Sequence, residues 1–260
     1  MKKMLFKVVS LVLTCVIILE SSTAYASETA ESTLNSETLS QLEESFEEIN
    51  AIAMKTTDVN DQERIAEVKS IVEAAVKENI YSFNFGENGT LLFDDISLLD
   101  IENNDDIYTS ITIPVKGINY SLLSNVTFIL KDDQILAYTE TLITRGSNNK
   151  FVVDIYYDGA LIESNHTNIE YISDEEIQEG LNSLKGIANA RTTDDKARGA
   201  NEIAGCLAVV AGVNITVALL ITSTCVASCP AVVPICVACI TAVGSIGAAD
   251  VAALVKCFDN

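Results

Sequence analysis

Apolar residues early in the chain recur at helical spacing. Leu39, Leu42, Phe46 and Ile49 fall three or four apart, which places them on one helix face. A second helix is predicted from near Asn60, where Glu63 completes a capping-box pattern. Its buried side would carry Ile65, Val68, Ile71, Val72, Ala75 and Val76. Between Tyr81 and Tyr171 the pattern shortens to β-rich runs such as Tyr108–Ile113 and Phe151–Tyr156. Turn signals separate them: Glu87-Asn88-Gly89, Asn103–Asp106, Lys116-Gly117, Asp132-Asp133, Ser147–Asn149 and Asp158-Gly159. A last helix, capped by Ser173 with Glu176, carries Ile177, Leu181 and Leu184. These elements predict an α+β region, helices plus an antiparallel meander. Past residue 200 the alternation stops, and apolar residues run almost without interruption.

The extreme N-terminus has its own pattern. Lys2, Lys3 and Lys7 precede an apolar run, Val8–Leu19, and Ala24-Tyr25-Ala26 follows as a small-x-small site. This is the layout of a secretory signal peptide cleaved after Ala26, and it predicts a secreted protein handled by signal peptidase. An apolar run of twelve residues is short for a membrane span, so a retained anchor is the weaker reading. A lipoprotein reading through Cys15 fails, because Thr14 precedes it and it sits inside the apolar run.

Composition sharpens the division of the chain. The 260 residues carry a formal net charge of −21, yet mean hydropathy is +0.28. Residues 27–200 hold 33 acidic and 12 basic side chains, whereas 201–260 hold only Glu202, Asp250, Lys256 and Asp259. Ile203–Ala249 contains no charged residue. The expected organisation is a signal peptide (1–26), an acidic α+β pro-region (27–190), a linker (191–200) and a cysteine-rich apolar segment (201–260). Arg191 and Arg198 offer processing sites in the polar linker, and Ala188-Asn189-Ala190 offers a signal-peptidase-like one. Strong negative charge excludes nucleic acid as an electrostatic partner.

Candidate chemistry in the acidic region is sparse. His166 is the chain's one histidine, which removes multi-histidine metal sites and weakens any Ser-His arrangement; a solvated histidine is expected. Asp94-Asp95, Asp105-Asp106 and Asp132-Asp133 have no EF-hand spacing and read as solvated turns. No phosphate-binding glycine loop occurs. The expectation is a protein that is not an enzyme, with no catalytic, cofactor-binding or metal site.

Loss of the signal peptide leaves six cysteines, an even number in an oxidising compartment. Cys206, Cys225, Cys229, Cys236, Cys239 and Cys257 are nearly symmetric about Pro230–Pro234, whose two prolines favour a turn. In an antiparallel helical hairpin, paired residues have numbers with a constant sum. Cys229–Cys236, Cys225–Cys239 and Cys206–Cys257 meet that condition to within two residues. Cys206 lies about 100° from Cys225 in helical phase, so the outer pairing needs a bend near Gly205 or Gly212. Six cysteines allow 15 connectivities, and spacing does not choose among them. Cys236-Val-Ala-Cys239 lacks the βαβ setting of a redox motif, and the apolar surroundings and secretion disfavour zinc. The expected C-terminal fold is an all-α, disulfide-laced helical hairpin whose arms approach bilayer length. A plain membrane-anchoring hairpin is the rival reading. It would make the protein an acidic extracellular domain held on the producer's membrane.

Signal peptide, acidic middle region and a terminal segment with Cys225-Val-Ala-Ser-Cys229-Pro230 and Pro234-Ile-Cys236-Val-Ala-Cys239 together resemble a halocin C-eight-type bacteriocin precursor. The specific resemblance covers about residues 200–260, and the remainder is one of layout. It implies that the terminal peptide is released by a processing protease as the antimicrobial, and that the pro-region binds it for self-protection. The family prototype leaves by a twin-arginine route; with no Arg-Arg before its apolar run, this chain is expected to use a Sec-type signal. The implied partner of the peptide is the target-cell membrane, reached through apolar area rather than charge.

Overall fold

The computed structural model describes residues 49–103, 105–192 and 215–225, all within the unit Thr33–Asn260. A helical turn at 49–53 leads into β1 (Thr56–Asp58), then α1 (Gln62–Lys77) and β2 (Thr90–Leu91). Six longer strands follow: β3 (Ser97–Asn103), β4 (Asp106–Lys116), β5 (Asn125–Lys131), β6 (Gln134–Arg145), β7 (Lys150–Tyr157) and β8 (Ala160–Glu170). Helices α2 (Asp174–Thr192) and α3 (Ile215–Cys225) complete the set.

All eight strands join one antiparallel sheet, in the order β1-β3-β4-β5-β6-β7-β8 with β2 extending the β4 edge. Consecutive strands are neighbours from β3 to β8, so each pair needs only a short turn. Two of those turns have the backbone that twisted hairpins prefer. Asp132 and Asp133 have φ of 49° and 61°, and Asp158 and Gly159 have 47° and 80°. A Cβ at Gly159 would also lie 2.9 Å from the Tyr138 hydroxyl, so both conformation and space call for glycine there.

Residue parity sorts the core into two layers. On one face Ile111, Ile113, Val126, Phe128, Leu130, Tyr138 and Leu142 pack beneath Val68 and Val72 of α1. Asp61 caps that helix by accepting from the amides of Glu63 and Arg64, one residue later than the predicted start. On the other face Leu99, Ile101, Ile129, Ile143, Phe151, Val153 and Ile155 pack with Ile49, with Ile177 and Leu181 of α2, and with α3. The Ser173–Glu176 capping box forms as read: the Ser173 amide donates to the Glu176 carboxylate (2.8 Å) and the Glu176 amide to Ser173 Oγ (3.3 Å).

The expected architecture, an α+β pro-region followed by an all-α hairpin, is overturned. The described residues form mainly a single eight-stranded antiparallel sheet with few helices. Helix α3, assigned from sequence to one arm of a separate hairpin, packs on that sheet instead. The physical reason is that β7 is apolar at 151, 153 and 155 on the face away from α1. That stripe needs an apolar cover, and periodicity in the C-terminal segment carries no information about where its partner lies.

Candidate functional site

Helix α3 has the sequence Ile-Thr-Val-Ala-Leu-Leu-Ile-Thr-Ser-Thr-Cys, with no charge. Val217, Ala218, Leu220 and Ile221 are 0–1% exposed, at spacings that place them on one side of the helix. The helix packs against β7, β8 and α2. Half-buried Tyr157, Ile169, Tyr171 and Ile172 pack against the same core cluster. Burying each of the three larger side chains contributes on the order of 1.5–3 kcal/mol. No helix among the described residues is long and apolar enough to cross a membrane.

Beside this apolar seat the same sheet face turns polar. Ser110, Thr112, Asn125, Thr127, Thr139 and Thr141 point to it from β4, β5 and β6, and all are buried. Some are satisfied. The hydroxyls of Thr112 and Thr127 bond at 2.9 Å, and Asn125 Nδ2 donates to the Leu123 carbonyl at 2.9 Å. Among the described residues the hydroxyls of Thr139 and Thr141 find no hydrogen-bond partner, nor do Ser121 Oγ and Asn50 Oδ1. Thr139 lies opposite Tyr157 and Thr141 opposite Ile155 on β7. A cavity of about 180 Å³ opens nearby, lined by Ser97, Thr112, Ser124, Asn125 and Leu181 among others.

Among the described residues the α1 face holds one buried charge, and treats it differently. Glu140 is 0% exposed and accepts from the amide of Asn84 (2.7 Å) and from Asn84 Nδ2 (2.8 Å). Burial pushes its carboxyl above the ordinary range, against those donors and the Phe85 amide. Around it Tyr81, Phe83, Phe128 and Tyr138 make edge-on and stacked ring contacts at 5.0–6.4 Å. The Tyr138 hydroxyl donates to the Ser82 carbonyl (2.9 Å), and burial followed by the Glu140 and Asp158 charges pushes its pKa up to about 12. An open cleft of about 740 Å³ lies at the end of this cluster, between Ile80–Asn84, Leu136, Tyr138 and Asp158–Ala160.

Of the residues singled out from sequence, Cys225 is the last residue of α3, and Arg191 lies in the last turn of α2, which runs to Thr192. Ala26, Arg198, Cys206, Cys229, Cys236, Cys239 and Cys257 lie outside the described residues. His166 is exposed on β8. Among the described residues no three of His, Cys, Asp or Glu come together where they could hold a metal ion. Asp132 and Asp133 form a turn, with Asp133 bound to Arg64 at 2.8 Å, and Asp94 is bound to Lys69 at 3.0 Å. Three features escaped sequence reasoning: the α3 seat, the unpaired threonines and the Asn84–Glu140 contact. The threonines had a visible signal, since Thr139 and Thr141 share a parity in β6 that also holds Ala137 and Ile143. A mixed parity of that kind resembles an exposed face.

The chain matches no protein-family model, no curated protein and no solved structure.

Proposed function

We propose that the protein is a secreted bacteriocin precursor in which an acidic β-sheet domain carries an apolar, cysteine-rich C-terminal segment. The observation that carries this reading is the insertion of Val217, Ala218, Leu220 and Ile221 into the core of the sheet domain. A segment of 47 residues without charge is poorly soluble in water by itself. A partner with 33 acidic residues keeps the whole soluble and holds part of that segment out of contact with lipid. Proteolysis between 191 and 200, with Arg191 and Arg198 as trypsin-like sites, then separates carrier from cargo. Cleavage at Arg191 requires the last turn of α2 to unwind. The freed segment has a net charge near −2 and enters a target-cell membrane through apolar area, stabilised by bridges among its six cysteines.

Mass spectrometry of culture supernatant tests this. The expected species is a fragment that begins between residues 191 and 200, six hydrogen atoms lighter than its reduced form. Recovery of the intact secreted chain alone would overturn the reading.

A further inference from the structure

Between α1 and β2 the chain runs Tyr81-Ser-Phe-Asn-Phe85, and alternate side chains take opposite sides. Tyr81, Phe83 and Phe85 pack into the α1-face core, while Ile80, Ser82 and Asn84 stay exposed. That is the habit of a strand, yet among the described residues no strand pairs with 80–85. Left-handed residues turn the chain at each end, Asn79 and Gly86, both with φ of 53°. Main-chain groups without a ladder need other partners, and side chains of β6 supply them. Glu140 accepts from the Asn84 and Phe85 amides and from Asn84 Nδ2, and the Tyr138 hydroxyl donates to the Ser82 carbonyl. Tyr120, from the β4–β5 connection, reaches the Phe85 carbonyl at 3.5 Å. Ile80–Asn84 form one wall of the open cleft, facing Leu136 and Asp158–Ala160.

No positive charge answers Glu140. The titratable groups that feel its charge are Tyr138 on its own strand, Tyr156 opposite on β7, and Tyr120. Burial, aided by that charge, holds all three phenols above their ordinary range, so they are neutral at pH 7. Val126 lies opposite on β5, and α1 brings Val68 and Val72, its Arg64 and Lys69 being tied to Asp133 and Asp94. Asp158 in the β7–β8 turn acts on Tyr81 and Tyr138 and accepts from the Tyr138 amide at 3.0 Å. Among the described residues no ion pair includes Glu140. A carboxylate buried without a cation is costly even when hydrogen-bonded, and either a bound proton or entering water relieves it.

We propose that Ile80–Phe85 is a pH-sensitive strap: with Glu140 protonated it lies closed over the α1-face core, and ionisation of Glu140 loosens it and widens the cleft. In the closed strap burial holds the Glu140 carboxyl above its ordinary range; lifting the strap lets water restore that range. Closure is therefore favoured most below the ordinary value near 4.5 and weakens as pH rises through the closed-state value. A protonated carboxyl keeps acceptor capacity for the Asn84 and Phe85 donors. No residue beyond Ala160 takes part, so the device is independent of what the C-terminal segment does.

Native-state amide exchange on the intact chain at pH 5 and pH 8, expressed as protection relative to the unstructured rate, tests this. The Asn84, Phe85 and Gly86 amides should be at least about threefold less protected at pH 8, with those of Val68 and Val72 in α1 unchanged. Glu140→Gln cannot ionise there, while His166 and the surface carboxylates titrate as before; its strap should show no pH dependence. Asn84→Ala removes an exposed donor without touching the core. It should lower strap protection by about fivefold at both pH values and keep the pH dependence. Equal strap protection at the two pH values in the wild type would overturn the proposal, as would the same fall in Glu140→Gln. So would unchanged protection in Asn84→Ala, or a wild-type fall shared equally by Val68 and Val72.

Discussion

The two faces of one sheet bury similar aliphatic side chains yet are covered in different ways. Helix α1 is joined to its sheet through a short connection, sits over Ile111, Phe128 and Leu142, and is tethered by Arg64–Asp133 and Lys69–Asp94. Helix α3 follows its seat strand β7 by nearly sixty residues and has no charge with which to form an ion pair. One cover is sequence-local and cross-linked by polar contacts. The other is distant in sequence and, among the described residues, seats apolar side chains against β7, β8 and α2. Non-directional burial is strong but releases its load whenever another apolar medium is offered, which suits a cargo and not a scaffold.

Substitutions on each side should break the molecule differently. The largest effect is expected from Phe128→Ala, which empties the centre of the aromatic cluster; it should cost about 3–5 kcal/mol and lower the whole unfolding transition in denaturant. Ile221→Ala on the α3 side should cost about 2–4 kcal/mol of docking stability, read as loss of α3 protection with the near-ultraviolet signal of Tyr81, Phe128 and Tyr138 retained.

Glu140 gives a smaller effect, dependent on pH. Its folded carboxyl titrates above the ordinary value near 4.5, because burial penalises the charged form. The folded state therefore gains stability as pH falls through that raised value, and the gain is complete below the unfolded value. Comparison of thermal melts should show wild type gaining on Glu140→Gln as pH is lowered from 7 toward 4.5. A flat difference across that range would contradict the assignment. The smallest effect is expected for Arg64→Ala: its partners Asp133 and Glu67 are about half exposed, so the loss should stay below about 1 kcal/mol in the same melts.

What was legible in the sequence was local. The Ser173–Glu176 box, the Asp132-Asp133 and Asp158-Gly159 turns and the body of α1 each depend on residues a few positions apart, and each occurs. The start of α1 was displaced by one residue because Asp61 outcompetes Asn60 for its first amides; the Asn60 side chain reaches the Asp58 carbonyl instead. The sheet's dominance was missed for a different reason. Strands β4 to β6 are buried on both faces, and Thr127, Glu140 and Thr141 in their interiors look like solvent-facing positions when read along the chain. Docking of α3 was invisible for the same reason at longer range. An apolar helix announces that it will be buried, but not against what.

The central claim is that an acidic sheet domain carries an apolar segment that it can give up to lipid. The direct test takes the purified chain, nicks it at Arg198, and mixes it with neutral phosphatidylcholine vesicles before flotation. The C-terminal fragment should move with the vesicles while the sheet domain stays in the aqueous fraction with its near-ultraviolet signal intact. Both fragments remaining together, in water or on lipid, would contradict the account.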